Sequence, residues 1–158
     1  MDIRNIEELV EKHSNMILQI AYQNTFNVQD AEDITQEVFI KLMSNISKLE
    51  SDEHIKAWLI KVTINLCKDH RKSFWNRNVS ELDENVKYFD EEDSDVLEEI
   101  KKLKPIHRNI IYLYYYQGYK INEISEILNM NQNTVSSYLT RARAELKDII
   151  TEGAEEHE

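Results

Sequence analysis

The chain has 158 residues and a formal net charge of −11 at pH 7, with two glycines (Gly118 and Gly153), one proline (Pro105) and one cysteine (Cys67). So little glycine excludes phosphate-cradling loops and dinucleotide fingerprints and leaves few tight hairpins, which points to an all-α fold. A single cysteine excludes an internal disulfide and a zinc-ligand cluster.

The opening stretch MDIRNIEELVEKHSN is charged and amphipathic and lacks the apolar core of a secretory signal. No apolar run approaches the roughly 20 residues that span a bilayer, so no membrane insertion and a soluble, cytoplasmic protein are expected. Ile6, Leu9, Val10, Ile17, Ile20 and Ala21 recur at helical spacing and predict a first amphipathic helix. Asp30 is placed to cap a second helix whose inward face reads Ile34, Val38, Leu42 and Ile46. After the polar stretch LESDEH a third helix is predicted over about residues 55–74. Its apolar face reads Ile55, Trp58, Leu59, Val62 and Leu66, so Trp58 is expected in the core. Together these helices predict a small domain over residues 1–76.

The pattern then fails. Residues 80–99 carry ten acidic side chains and one basic one, Lys87, which predicts a flexible acidic linker over residues 77–95. Residues 1–79 are nearly balanced at −2, the stretch 100–150 carries +4, and an acidic tail over residues 151–158 carries −4. Most of the acid therefore sits in the linker and the tail. A nucleic-acid role for the flanking domains survives the overall charge.

A second small domain is predicted over residues 96–150. Leu97, Ile100 and Leu103 precede Pro105, which starts a helix at its first turn, and Gly118 is placed to end it. Two short helices follow over about residues 121–128 and 132–149, separated by Asn129, Met130 and Asn131. Helices joined this closely form a helix-turn-helix, whose second helix enters the major groove. Asn131 can cap that helix. Its first turns carry Gln132, Asn133, Thr134, Ser136 and Ser137, side chains that hydrogen-bond to base edges. Thr140, Arg141 and Arg143 lie further along, where the arginines can reach phosphate, with Lys147 beyond. The opposite side, Val135, Leu139, Ala142 and Leu146, is expected to pack on Ile124 and Leu128. The cluster Tyr112, Tyr114, Tyr115, Tyr116 and Tyr119 suggests base stacking, but consecutive helical residues point to different sides. Core packing with hydroxyls at the rim is the expectation.

Two stretches carry a family resemblance. DAEDITQEVFIKL (residues 30–42) with KAWLIKVTINLCKDHRK (residues 56–72) resembles region 2 of extracytoplasmic-function (ECF) sigma factors of the sigma-70 family, and KINEISEILNMNQNTVSSYLTRARAELK (residues 120–147) resembles region 4. The resemblance implies two helical domains that bind core RNA polymerase and promoter DNA, reading the minus-10 element with region 2 and the minus-35 element with region 4. It implies polymerase binding by Asp33, Gln36, Glu37, Phe39 and Lys41. It places Leu49, Lys61, Asn65, Lys68, Asp69 and Lys72 at the minus-10 element, with a base flipped under the stretch 49–54. At Leu49 the family often has an aromatic residue, and Asn133, Ser136 and Tyr138 stand where glycine, lysine and arginine are usual. The resemblance further implies an anti-sigma partner, no cofactor and no metal.

Three other readings compete. A stand-alone helix-turn-helix regulator predicts tight operator binding by the free protein, against the modest charge of the reading domain. An acidic adaptor leaves the helix-turn-helix unexplained. An enzyme lacks support: His13, His54, His70, His107 and His157 are scattered, with no metal-ligand spacing or nucleophile–base pair. His70 reads as a polar surface residue.

Overall fold

The computed structural model describes residues 3–75 and 101–156, with side chains over 5–71 and 101–152. The predicted linker, Leu97, Ile100 and the side chain of Lys72 lie outside the described residues. The chain divides into two units, Met1–Val86 and Lys87–Glu158. Every regular element among the described residues is helical, as the glycine count implied.

In the first unit, α1 (Ile3–Thr25), α2 (Val28–Asn45) and α3 (Asp52–Trp75) pack pairwise around one core. Leu9, Ile17, Ile20 and Ala21 come from α1, and Ala31, Ile34, Val38 and Leu42 from α2. A 3-10 turn, Ile46–Lys48, takes Ile46 out of α2 but keeps it buried. Fully burying a side chain such as Ile17 or Leu59 stabilises by about 2 kcal/mol, so the core is the principal source of stability.

The α1–α2 joint has two residues. Phe26 adopts a left-handed φ of 50° and packs edge-on against Tyr22, with ring centroids 5.8 Å apart. Asn27 then turns extended, and its side chain accepts the Asp30 N–H at 2.9 Å. The cap of α2 is therefore Asn27, not Asp30. Both residue types cap well, and the sharp turn at Phe26 decides between them. Asp30 lies in the first turn, favourable for an anion, and its carboxylate meets His70 Nε2 on α3 at 3.1 Å. His70 thus bridges two helices rather than sitting alone on a surface.

α3 begins at Asp52, before the expected start, and its buried stripe is rotated from the predicted one. Ile55, Leu59, Ile60, Thr63, Ile64 and Cys67 are buried. Trp58, Val62 and Leu66 are half-buried on the flank, so Trp58 is not in the core. Thr63 fits the interior because its hydroxyl donates to the Leu59 carbonyl at 2.6 Å. Burial pushes the Cys67 thiol up to about 12, which leaves it protonated and inert.

In the second unit, α4 (Pro105–Ile111) starts at Pro105 as expected and runs into a π turn, Tyr112–Tyr116. The backbone N–H of Gln117 bonds the Tyr112 carbonyl at 3.1 Å, and Gly118 (φ 73°) leaves the turn. Arg108 is buried and holds the preceding segment by donating from Nη1 to Leu103 O at 2.8 Å. α5 (Ile121–Leu128) is closed at its start by Glu123, which accepts the Lys120 N–H at 2.9 Å. It ends at Asn129, left-handed at φ 54°, a conformation asparagine tolerates better than most. Met130 N–H bonds back to Ser125 O at 2.9 Å. α6 (Gln132–Glu156) follows and continues beyond its expected end into the sequence read as a tail. Ile110, Leu113, Ile124, Ile127, Val135, Leu139 and Ala142 form the core. His107 Nδ1 lies 2.7 Å from Glu145 Oε2, tying α4 to α6.

Candidate functional site

Three exposed faces carry the residues singled out in the sequence, two on the first unit and one on the second. On α2, Asp33, Gln36, Glu37 and Lys41 are exposed and Phe39 is half-buried. Residues 33, 36, 37 and 40 fall on one side of a helix, opposite the buried Ile34, Val38 and Leu42. The structure adds two residues that the sequence reading passed over. Ile40 and Met43 are 64% and 60% exposed, on that same side. The signal was available, since both interrupt an otherwise polar face at helical spacing. Two large apolar side chains flanked by carboxylates form a surface suited to a protein partner with its own apolar and basic groups.

On α3, Lys61, Asn65, Lys68 and Asp69 are all exposed along one side. They form a mixed stripe of two lysines, an amide and one carboxylate; the lysines suit phosphates, while Asn65 and Asp69 suit donors on base edges. Trp58 and Val62 border that stripe, half-buried. Leu49 is set apart from it. It closes the 3-10 turn in extended backbone and is buried.

On α6 the division is clean. Gln132, Asn133, Thr134, Ser136, Ser137, Thr140, Arg141 and Arg143 are exposed, while Val135, Leu139 and Ala142 are buried against the unit. Ile124 and Ile127 of α5 supply the facing core; Leu128 and Leu146 are only half-buried. Asn131 fixes the entry to the helix, its Oδ1 accepting the Asn133 N–H at 2.8 Å. Thr140 donates its hydroxyl proton to Ser136 O at 3.1 Å, which leaves its oxygen lone pairs to accept.

The tyrosines depart from the expected core packing. Tyr112 is buried and accepts from Gln117 Nε2 at 2.9 Å, and Tyr114 and Tyr119 are half-buried. Tyr115 and Tyr116 are 54% and 59% exposed. Tyr114 and Tyr115 also share a side after all, with ring centroids 4.9 Å apart and planes at 76°. A turn closed by longer-range bonds advances less rotation per residue, so neighbours diverge less than in an α-helix. The Arg143 guanidinium lies over both rings, 5.4 Å from Tyr114 and 5.5 Å from Tyr115. Its Nε donates to Tyr115 Oη at 2.5 Å, a bond that raises the guanidinium pKa further.

His13 is buried with no partner at Nε2, and burial, then Lys12 and Lys56, lowers its pKa despite an opposing Asp52. No group of His, Cys, Asp or Glu suited to a metal ion occurs among the described residues. Nor is any described helix long and apolar enough to cross a membrane.

Comparison with known proteins gives one answer for both units. The family description "Sigma-70 region 2" matches residues 9–77, and "Sigma-70, region 4" matches residues 94–146. RNA polymerase sigma factor YlaC of Bacillus subtilis is 27% identical over 165 residues, covering 96% of this chain and 95% of that one. ECF RNA polymerase sigma factor SigW of the same organism is 28% identical, with 89% and 86% covered. Among solved structures, the sigma factor RpoE of Bartonella quintana, in complex with the anti-sigma factor NepR, superposes with a TM-score of 0.77 at 18% identity, covering 94% of this chain and 98% of that one. CnrH, in complex with the cytosolic domain of CnrY, superposes at 0.70 and 21% identity, with 95% and 90% covered.

Proposed function

Since the chain belongs to the sigma-70 family, as an ECF-type factor with region 2 followed by region 4, we propose that its three exposed faces divide the work of promoter recognition. The protein is a sigma factor that directs RNA polymerase to promoters. The observation that carries the division of labour is the split of α6, polar and exposed on one side, with Val135, Leu139 and Ala142 buried on the other.

Asp33, Gln36, Glu37, Phe39 and Lys41, with the exposed Ile40 and Met43, form the docking surface for core polymerase. Carboxylates would be repelled by DNA, whereas a basic protein surface accepts them. Lys61, Asn65, Lys68, Asp69 and Lys72 face the minus-10 element. Leu49, buried at the end of the 3-10 turn, is not placed to stack on a base. Gln132, Asn133, Thr134, Ser136, Ser137 and Thr140 face the minus-35 element, and Arg141 and Arg143 hold its backbone. The domains are residues 1–76 and 96–150, with the acidic stretch 77–95 between them.

We assign the chain no catalytic role, no cofactor and a cytoplasmic location, where polymerase is found. An anti-sigma protein is the expected regulator, by analogy with the complex of RpoE with the anti-sigma factor NepR.

Run-off transcription with core polymerase, on a panel of genomic promoters, tests this reading. Initiation should require the protein and be lost on changing Asp33 and Gln36 to Ala. No stimulation on any promoter, with nanomolar operator binding by the free protein, would favour a stand-alone regulator instead.

A further inference from the structure

The Tyr114–Tyr115–Arg143 cluster is not accounted for by folding. Tyr115 is 54% exposed, and Arg143 is an exposed residue on the outer side of α6. Neither fills the core. Yet the guanidinium is held at 5.4 and 5.5 Å over two rings and hydrogen-bonded through Nε to the Tyr115 hydroxyl. An exposed arginine ordinarily samples many rotamers and gives up that freedom only when a partner arrives. Here the guanidinium already has a seat on two rings.

Two features say what the arrangement is for. The first is the nitrogen that is used. A guanidinium has five N–H donors in a fixed fork; the bond to Tyr115 takes Nε, and a further bond to the Tyr114 side chain still leaves donors on the paired Nη groups. Two oxygens of one phosphate can be met by that pair. The second is position. Arg143 follows Ser136 by seven residues and Thr140 by three, so it lies on their side of the helix, about 10 Å along the axis from Ser136. A major groove is about 12 Å wide, so a helix whose first turns meet base edges carries its next two turns out to the flanking backbone.

We propose that Tyr114 and Tyr115 form a cradle that presents Arg143 to a DNA phosphate beside the groove entered by α6, making Tyr115 a positioning residue for promoter binding. The proposal rests on the reading of α6 as the minus-35 helix. The cradle lies within the π turn, where the two consecutive rings meet edge to face. Such turns recur at functional positions in helices. Tyr115 contributes no charge, so its effect is on geometry alone.

The test uses holoenzyme assembled from core polymerase and the full chain, bound to a fluorescent promoter duplex from which the wild type initiates, across a salt titration. Arg143→Ala should weaken binding on the order of tenfold and reduce the slope of log affinity against log salt by about one. Tyr115→Phe, which keeps the ring and removes the hydroxyl, should weaken it by roughly three- to tenfold and keep the slope. The double variant should bind no more weakly than Arg143→Ala alone, because both changes remove one contact. Arg143→Lys, which keeps the charge without the fork, should keep the slope and become insensitive to Tyr115→Phe. The melting temperature of Tyr115→Phe should equal that of the wild type.

Additive losses in the double variant, or wild-type binding by Tyr115→Phe, would overturn the inference. So would an Arg143→Ala holoenzyme that binds as well as wild type. In each of these cases the wild-type protein still initiates, and the sigma-factor reading stands. A wild-type protein that never initiates removes that reading and this one with it.

Discussion

Arg71 on α3 reaches back to α1, where its Nη1 donates to Asn24 Oδ1 at 2.8 Å; Asn24 in turn donates Nδ2 to Ile20 O at 2.8 Å. Asn24 is buried, so its amide needs partners inside the fold. The bond links helices whose residues lie 47 apart in sequence. Arg71→Met, which keeps much of the apolar stem, should destabilise the protein by about 1–3 kcal/mol. Urea denaturation followed by tryptophan fluorescence measures it, and an unchanged midpoint would show that the bond contributes nothing net.

The buried His13 gives the first unit a pH dependence. Its folded-state pKa lies below the ordinary 6.5, chiefly because of burial. Below about pH 6.5 the unfolded chain therefore binds a proton that the folded chain refuses. The stability tied to neutral His13 is present above that value and declines as pH falls from it toward the folded pKa. Melting temperatures taken between neutral and mildly acidic pH should drop more steeply for the wild type than for His13→Leu. Parallel slopes would remove His13 as the cause.

Ile40 and Met43 should matter for assembly and not for folding. Each is more than half exposed. Ile40→Ser with Met43→Gln should change stability by no more than about 0.5 kcal/mol, the usual range for a surface site. Affinity for core polymerase should fall at least on the order of tenfold, since apolar groups at an interface centre carry much of its energy. A titration of labelled protein with core polymerase decides it.

Base reading and phosphate contact on α6 should separate experimentally. Asn133→Ala removes an amide placed to pair with a base edge and should alter preference at one promoter position by about 1–3 kcal/mol. Arg141→Ala should weaken all sequences alike and reduce the salt slope by about one. Binding of holoenzyme to a set of single-base promoter variants, repeated at two salt concentrations, distinguishes the two behaviours.

The turn of the helix-turn-helix depends on the left-handed Asn129. Asn129→Gly should leave stability unchanged or raise it slightly, whereas Asn129→Val should lower it by roughly 1–2 kcal/mol, because a branched side chain resists positive φ. Thermal melts of both variants give the sign.

Several parts of this protein were readable before any coordinates. Ile34, Val38 and Leu42 repeat at helical spacing, and all three are buried. The helix-turn-helix was legible because Asn129, Met130 and Asn131 break two apolar patterns at the required interval, and α5 and α6 begin where they were expected. What failed depends on distance or on an angle. Asn27 and Asp30 are both good caps, and only the backbone at Phe26 selects one. The buried stripe of α3 is rotated so that Thr63 enters the core and Trp58 moves to its flank, because a hydroxyl bonded to its own helix is as easily buried as an apolar group. The pairing of Asp30 with His70 joins residues 40 positions apart, beyond any local pattern. The tyrosine cradle was hidden by an assumption of α-helical rotation, which the π turn violates. At the DNA- and polymerase-facing positions, residue type and exposure were readable; Ile40 and Met43 escaped because apolar residues are assigned inward by default.

Cys67, sealed on the inward side of α3 with its thiol pushed up to about 12, has a practical consequence. The chain contains no second cysteine to compete for a thiol-directed dye. A Ser44→Cys substitution, next to Met43 on exposed α2 surface, creates a single addressable handle without first stripping the native sequence. A fluorophore there reports arrival at polymerase in real time, and the thiol in the interior stays dark.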